Sequence, residues 1–178
     1  MKAEKIGKIT VIRLKRKEHR PERRFCAKRF FYKIKGFFHP ESETISWKKV
    51  VEIIKEFIGD YQFYLLLADE YYRILPFEQM IQLIKKDDTK QLEYHPNTFD
   101  CDNFSLCSSS KLSLLTYPLG ICYGELWYYS KSKNYAHAIN LFVCRQKEKL
   151  ILLCHEPQNG EIFAYDKKDW QCMMIKIC

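Results

Sequence analysis

Apolar residues recur at helical spacing between positions 47 and 58, where Trp47, Val50, Val51, Ile54, Phe57 and Ile58 share one face. Ser46 stands in the N-cap position and Gly59 follows the last apolar residue, so the pattern predicts a capped amphipathic helix. A second helix is predicted from Pro76, which suits a first turn, with Phe77, Met80, Ile81 and Ile84 on one side and Lys85 and Lys86 closing it. Both stripes read as core. Between them, residues 61–72 are dense in Tyr and Leu, with Asp69 as a polar exception. A third helix is expected over 106–115, weakened by four serines within it and Ser105 just before it, but keeping Phe104, Cys107, Leu112 and Leu115 as a usable face.

The period changes after Gly120. Segments near 121–129, 137–144, 149–154, 161–165 and 171–177 are separated by polar or Gly-containing turns and read as an antiparallel sheet. Upstream, Ile9, Val11, Ile12 and Leu14 alternate with Lys and Arg as one further strand. Helices first and strands afterwards predict an α+β fold.

At 178 residues, 47% hydrophobic and 15% aromatic, the chain has material for one full core. The net charge of +8 is concentrated at the start: residues 1–40 carry 14 Lys and Arg against three Glu, which leaves the rest slightly acidic. This divides the chain into a basic N-terminal extension, 1–40, and a domain, 41–178. The extension is either a solvated arm or a contact for nucleic acid or another anionic polymer. Within it, residues 25–38 interleave aromatics with Lys and Arg, as binders of single-stranded nucleic acid do, though no recognisable nucleic-acid motif accompanies them.

Eight cysteines, without a Cys-x-x-Cys pair and with several inside apolar runs, read as reduced core thiols rather than a disulfide framework or zinc site. No apolar run approaches the roughly 20 residues a membrane-spanning helix needs, and a cytoplasmic protein is expected.

The candidate chemistry lies in three segments. F-D-C-D-N-F-S-L (99–106) puts Cys101 between two carboxylates at a helix start, where free amides and the helix dipole favour a thiolate and can hold an oxyanion. A-H-A-I-N-L-F-V (136–143) puts His137 at the head of an apolar run, and L-I-L-L-C-H-E-P-Q-N-G (150–160) puts Glu156 at the end of the next. Cysteine, then histidine, then acid supplies a nucleophile, its base and an orienting group. Taken singly, His137 is equally a core histidine and Glu156 a strand-end carboxylate. Asn140 and Gln158 are rival partners for the imidazole, while His155 should face away from Glu156. Asp100 and Asp102 oppose thiol ionisation; they cap the helix or, with Asn103 or Asp69, bind a hard cation such as calcium.

The run Y-H-P-N-T-F-D-C-D-N-F-S, followed by Y-P-L-G-I-C-Y-G-E-L-W with Gly120 and Gly124, A-H-A-I-N and E-P-Q, resembles the papain-like cysteine-peptidase domain attached to certain mushroom β-trefoil lectins; the upstream L-A-D-E-Y-Y adds to the likeness. It covers about residues 45–165. The resemblance implies a papain-like fold, Cys101 as nucleophile, His137 as base, Glu156 as orienting acid, and calcium-dependent proteolysis; it assigns no calcium ligands, for which Asp100, Asp102 and Asn103 are the candidates. Asn103 stands where an acid is common, and no β-trefoil or Gln-x-Trp repeat is present, so sugar targeting is not carried over. The expected function is therefore a cysteine hydrolase cleaving peptide bonds of a protein substrate through a thioester. The alternatives are a peptidoglycan amidase or endopeptidase, and a non-catalytic binding module whose basic N-terminus contacts nucleic acid.

Overall fold

The computed structural model describes residues 2–13, 42–59, 62–116 and 120–177. Two strands come first, β1 (Lys2–Ile6) and β2 (Ile9–Arg13), followed by β3 (Glu43–Ser46), helix α1 (Trp47–Ile58), β4 (Tyr64–Leu67), β5 (Tyr71–Pro76) and helix α2 (Phe77–Ile84). A short 3-10 turn, Thr89–Gln91, leads to helix α3 (Cys101–Thr116). Five strands complete the order: β6 (Tyr123–Ser130), β7 (Tyr135–Gln146), β8 (Lys149–Glu156), β9 (Glu161–Phe163) and β10 (Trp170–Ile177).

All ten strands belong to one sheet in the path β1-β2-β4-β10-β6-β7-β5-β3, with β8 on β7 and β9 on β8. Its long central strand, β7, explains the layering. Ile139, Leu141 and Val143 pack in the cluster that holds Val50, Ile54 and Ile58 of α1. The alternate residues, Phe142 and Cys144, pack with Met80, Leu83 and Ile84 of α2 and Leu112 of α3. Successive side chains of a strand face opposite ways, so α1 covers one face and α2 with α3 cover the other.

Local chemistry sets the element ends. The Ser46 side chain accepts the Lys49 amide at 3.4 Å, and Gly59, at φ 93°, turns its own amide back to Lys55 O. Both residues sit where the apolar pattern places them. Pro76 occupies the N-cap position of α2, one residue before its first turn.

The fold class departs from expectation. Instead of N-terminal helices followed by an antiparallel sheet, in a papain-like α+β arrangement, the described residues form mainly sheet, with strands before every helix. The sheet is also mixed: β2 and β10 both run parallel to β4, and β5 runs parallel to β7. The discrepancy arises at β4 and β5, four and six residues long, where Tyr and Leu fill both inward and half-covered positions. With Tyr64 and Tyr71 exposed on the outward side, these strands lack the polar alternation that reveals a strand, and they read as featureless apolar chain. Residues 2–13, assigned by charge to the N-terminal extension, form the β1–β2 hairpin, and Ile9 and Val11 are core residues. The basic and aromatic stretch at 25–38 lies outside the described residues.

A candidate thiol, imidazole and carboxylate site

Helix α3 begins at Cys101, and Phe104 N–H closes its first turn onto Asp100 O at 3.0 Å. Asp100 is thereby the N-cap, and Asn103, three residues on, reaches back so that its Oδ1 accepts the Asp100 amide at 3.2 Å. Asp102 Oδ1 accepts the Asn103 amide at 3.0 Å. The Asp100 backbone and the Asp102 carboxylate therefore shape the helix start.

His137 and Glu156 lie on neighbouring antiparallel strands, β7 and β8. His137 Nε2 and Glu156 Oε2 are 2.7 Å apart, and the other carboxylate oxygen accepts the Gln158 amide at 3.2 Å. The Cys101 side chain also hydrogen-bonds the imidazole. The structure thus brings Cys101, His137 and Glu156 into one constellation. Burial disfavours a charged His137, but the hydrogen bonds to Cys101 and Glu156 and their charge outweigh it, holding its proton up to about 9.

The rival partners sit elsewhere. Asn140 faces α3, three residues from His137 and so on the other side of the strand. Gln158 meets Glu156 through its backbone amide. His155 is buried against Tyr123, its Nδ1 2.7 Å from the phenol oxygen, and burial lowers it to about 4. Asp69 donates its backbone amide to Tyr72 Oη at 3.0 Å and lies beside Gly120.

Sequence reasoning missed the aromatic frame of the imidazole. Tyr128 and Tyr135 both pack edge-on to His137 at 5.8 Å, and Trp170 stacks on Tyr128 at 3.9 Å. Tyr135 keeps 40% of its surface exposed. Its place two residues before His137, on the same face of one strand, was the available signal.

For calcium the donor set is thin. Asp100 and Asp102 share a hydrogen bond that raises the Asp100 carboxyl above its ordinary range, yet the Asn103 oxygen and one Asp102 oxygen are already taken by backbone amides. Calcium takes six to eight oxygens, so this pair supplies only part of a shell and water must complete it. Among the described residues, no group of three or more His, Cys, Asp or Glu side chains is placed to hold a metal ion.

No protein-family model matches the chain, and no curated protein does. Solved structures do. A structure of PSL1a in complex with E64 superposes with a TM-score of 0.63 at 21% identity, over 75% of this chain and 51% of the other. A structure of the Polyporus squamosus lectin bound to the human-type influenza-binding epitope Neu5Acα2-6Galβ1-4GlcNAc superposes with a TM-score of 0.59 at 23% identity, over 76% and 49%. The chain is similar in fold to a mushroom lectin. It spans about half the length of these solved chains.

These neighbours fit the lectin side of the sequence resemblance and leave its papain-like peptidase side without support. The reading as a cysteine hydrolase, whether peptidase or cell-wall amidase, is accordingly corrected: the solved structures that share this fold are those of a mushroom lectin. The physical reason is that residue order shows which side chains can meet. It does not show that a scissile bond is held among them. Among the described residues no helix is long and apolar enough to cross a membrane.

Proposed function

We propose that this chain is a non-catalytic binding module whose ligand is a carbohydrate, held beside His137 and Glu156. The observation that carries this reading is the half-exposed Tyr135 ring packed against the His137–Glu156 pair. A sugar offers an apolar face of C–H groups and a rim of hydroxyls. An open aromatic ring suits the first, and a carboxylate with a charged imidazole suits the second. The fold likeness to a lectin bound to a sialylated trisaccharide supports the same ligand class. Calorimetric titration with Neu5Acα2-6Galβ1-4GlcNAc, and with the same glycan lacking the sialic acid, tests it. Binding that Tyr135→Ala and Glu156→Gln each weaken about tenfold is expected. Absence of binding to either glycan sinks the reading.

A second inference concerns Cys101 and rests on its hydrogen bond to His137. An imidazole that keeps its proton to about 9 is a fitting partner for a reactive thiol, and we infer that Cys101 is the nucleophilic thiol among the described residues. Burial pushes the Cys122 and Cys144 thiols up to about 12 and raises Cys154 and Cys172 as well. E64, present with PSL1a, is the natural probe. An intact-mass adduct that Cys101→Ser removes is expected, and an adduct that survives this substitution rejects the assignment. Calcium at Asp100 and Asp102 is proposed as an accessory ligand of the same helix start.

A further inference from the structure

Helix α3 does not dock through an apolar stripe. Its buried face includes Ser105, Ser108 and Ser109 beside Phe104 and Leu112. The hydrogen bonds that seat Ser105 and Ser109 converge on β7. Asn140 Nδ2 reaches Ser105 O at 2.9 Å, Gly124 O at 3.0 Å and Ser109 Oγ at 3.2 Å, while Ser105 Oγ donates to Ile139 O at 2.9 Å. One amide group therefore ties the helix carrying Cys101 to the strand carrying His137 and to β6.

The distances along both elements match. Cys101 lies one turn before Ser105, about 6 Å along the helix axis, and His137 lies two residues before Ile139, about 7 Å along the strand. From the clamp, helix and strand run back side by side to the thiol and the imidazole. A small slide of α3 on β7 at the clamp would carry directly into the Cys101–His137 contact.

Asn140 is fully buried, and its Oδ1 has no hydrogen-bond partner. Leaving a buried acceptor empty is costly, a penalty that an apolar residue of similar size avoids. An apolar residue, however, supplies no donor for the helix carbonyl and the strand carbonyl together.

We propose that Asn140 is a positioning residue that sets the distance between Cys101 and His137, resting on the pairing of this thiol and imidazole inferred above. It touches neither side chain and acts through the seat of α3.

The test follows the imidazole of His137 by NMR titration in Asn140→Ala and Asn140→Leu, the latter of similar size but without a donor for the three acceptors. Leu112→Ala, in the same helix interface but outside the clamp, is the control for mere loss of stability. Wild type should titrate near 9, the Asn140 variants at least one unit lower, and Leu112→Ala near wild type despite a lower melting temperature. If the Asn140 variants do not fold, Ser105→Ala and Ser109→Ala decide, each expected to move the midpoint down by a smaller step. An unchanged midpoint in the folded clamp variants, or an equal fall in Leu112→Ala, overturns the proposal. Failure of wild type to bind glycan leaves this result untouched, so the two readings are separable.

Discussion

His137 and Glu156 are nineteen positions apart in the chain and 2.7 Å apart in space, joined across β7 and β8. Glu156 also contributes to holding the imidazole proton. Glu156→Gln keeps an acceptor and removes the charge. The His137 midpoint should then fall from about 9 by at least one unit, read by NMR. The stability consequence has a definite sign, because the folded-state value lies above the ordinary 6.5. The stabilising contribution is fully present below pH 6.5 and lost as pH rises through about 9. Melting temperatures across that window should decline in wild type, with the decline starting at lower pH in the variant.

His155 carries the opposite sign. Its folded-state value, about 4, lies below the ordinary 6.5, so its contribution is present above pH 6.5 and lost as pH falls toward 4. The loss is on the order of 3 kcal/mol. His155→Phe should flatten the stability profile between these limits. An acid slope equal to wild type in that variant assigns the effect to other groups.

Gly124 leaves no room for a side chain. A Cβ there would stand 2.0 Å from Lys176 O of the neighbouring strand. Gly124→Ala must part β6 from β10, and the expected destabilisation is about 3 kcal/mol by denaturant unfolding. A change under about 1 kcal/mol would mean the strands separate easily.

Calcium is tested by mass action. If Asp100 and Asp102 hold the ion, adding it at a hundredfold excess over its dissociation constant stabilises the fold by about 2.7 kcal/mol. Asp100→Asn should abolish the melting shift. No shift in wild type on addition or chelation assigns both carboxyls to the helix start alone.

Much of the architecture is legible in the chain because its local signals agree. Ser46 and Gly59 bound α1, and the strand pattern after Gly120 returns β6, β7, β8, β9 and β10 with small shifts at their ends. The serines of α3 mislead, since they weaken helix propensity while serving as partners for Asn140 and Tyr123. Asn140 misleads in another way. As a rival for His137 it had the right chemistry but the wrong parity, since three residues along a strand reverse the face. The sequence order of Cys101, His137 and Glu156 speaks to which groups meet. What is held there depends on Tyr135 and its neighbours, whose exposure exists only in the folded chain.

Strand β10 joins two parts of the sheet that otherwise do not pair, running parallel to β4 on one side and antiparallel to β6 on the other. Met174 pairs with Tyr64, a partner synthesised 110 residues earlier. During synthesis the β1–β2–β4 group must wait with one edge open while β6, β7 and β8 assemble among themselves. Closing so long a loop is slow, and an open edge invites pairing with other chains. Refolding of this protein is therefore governed by when one late strand slots between two early ones, and its yield should fall as chain concentration rises.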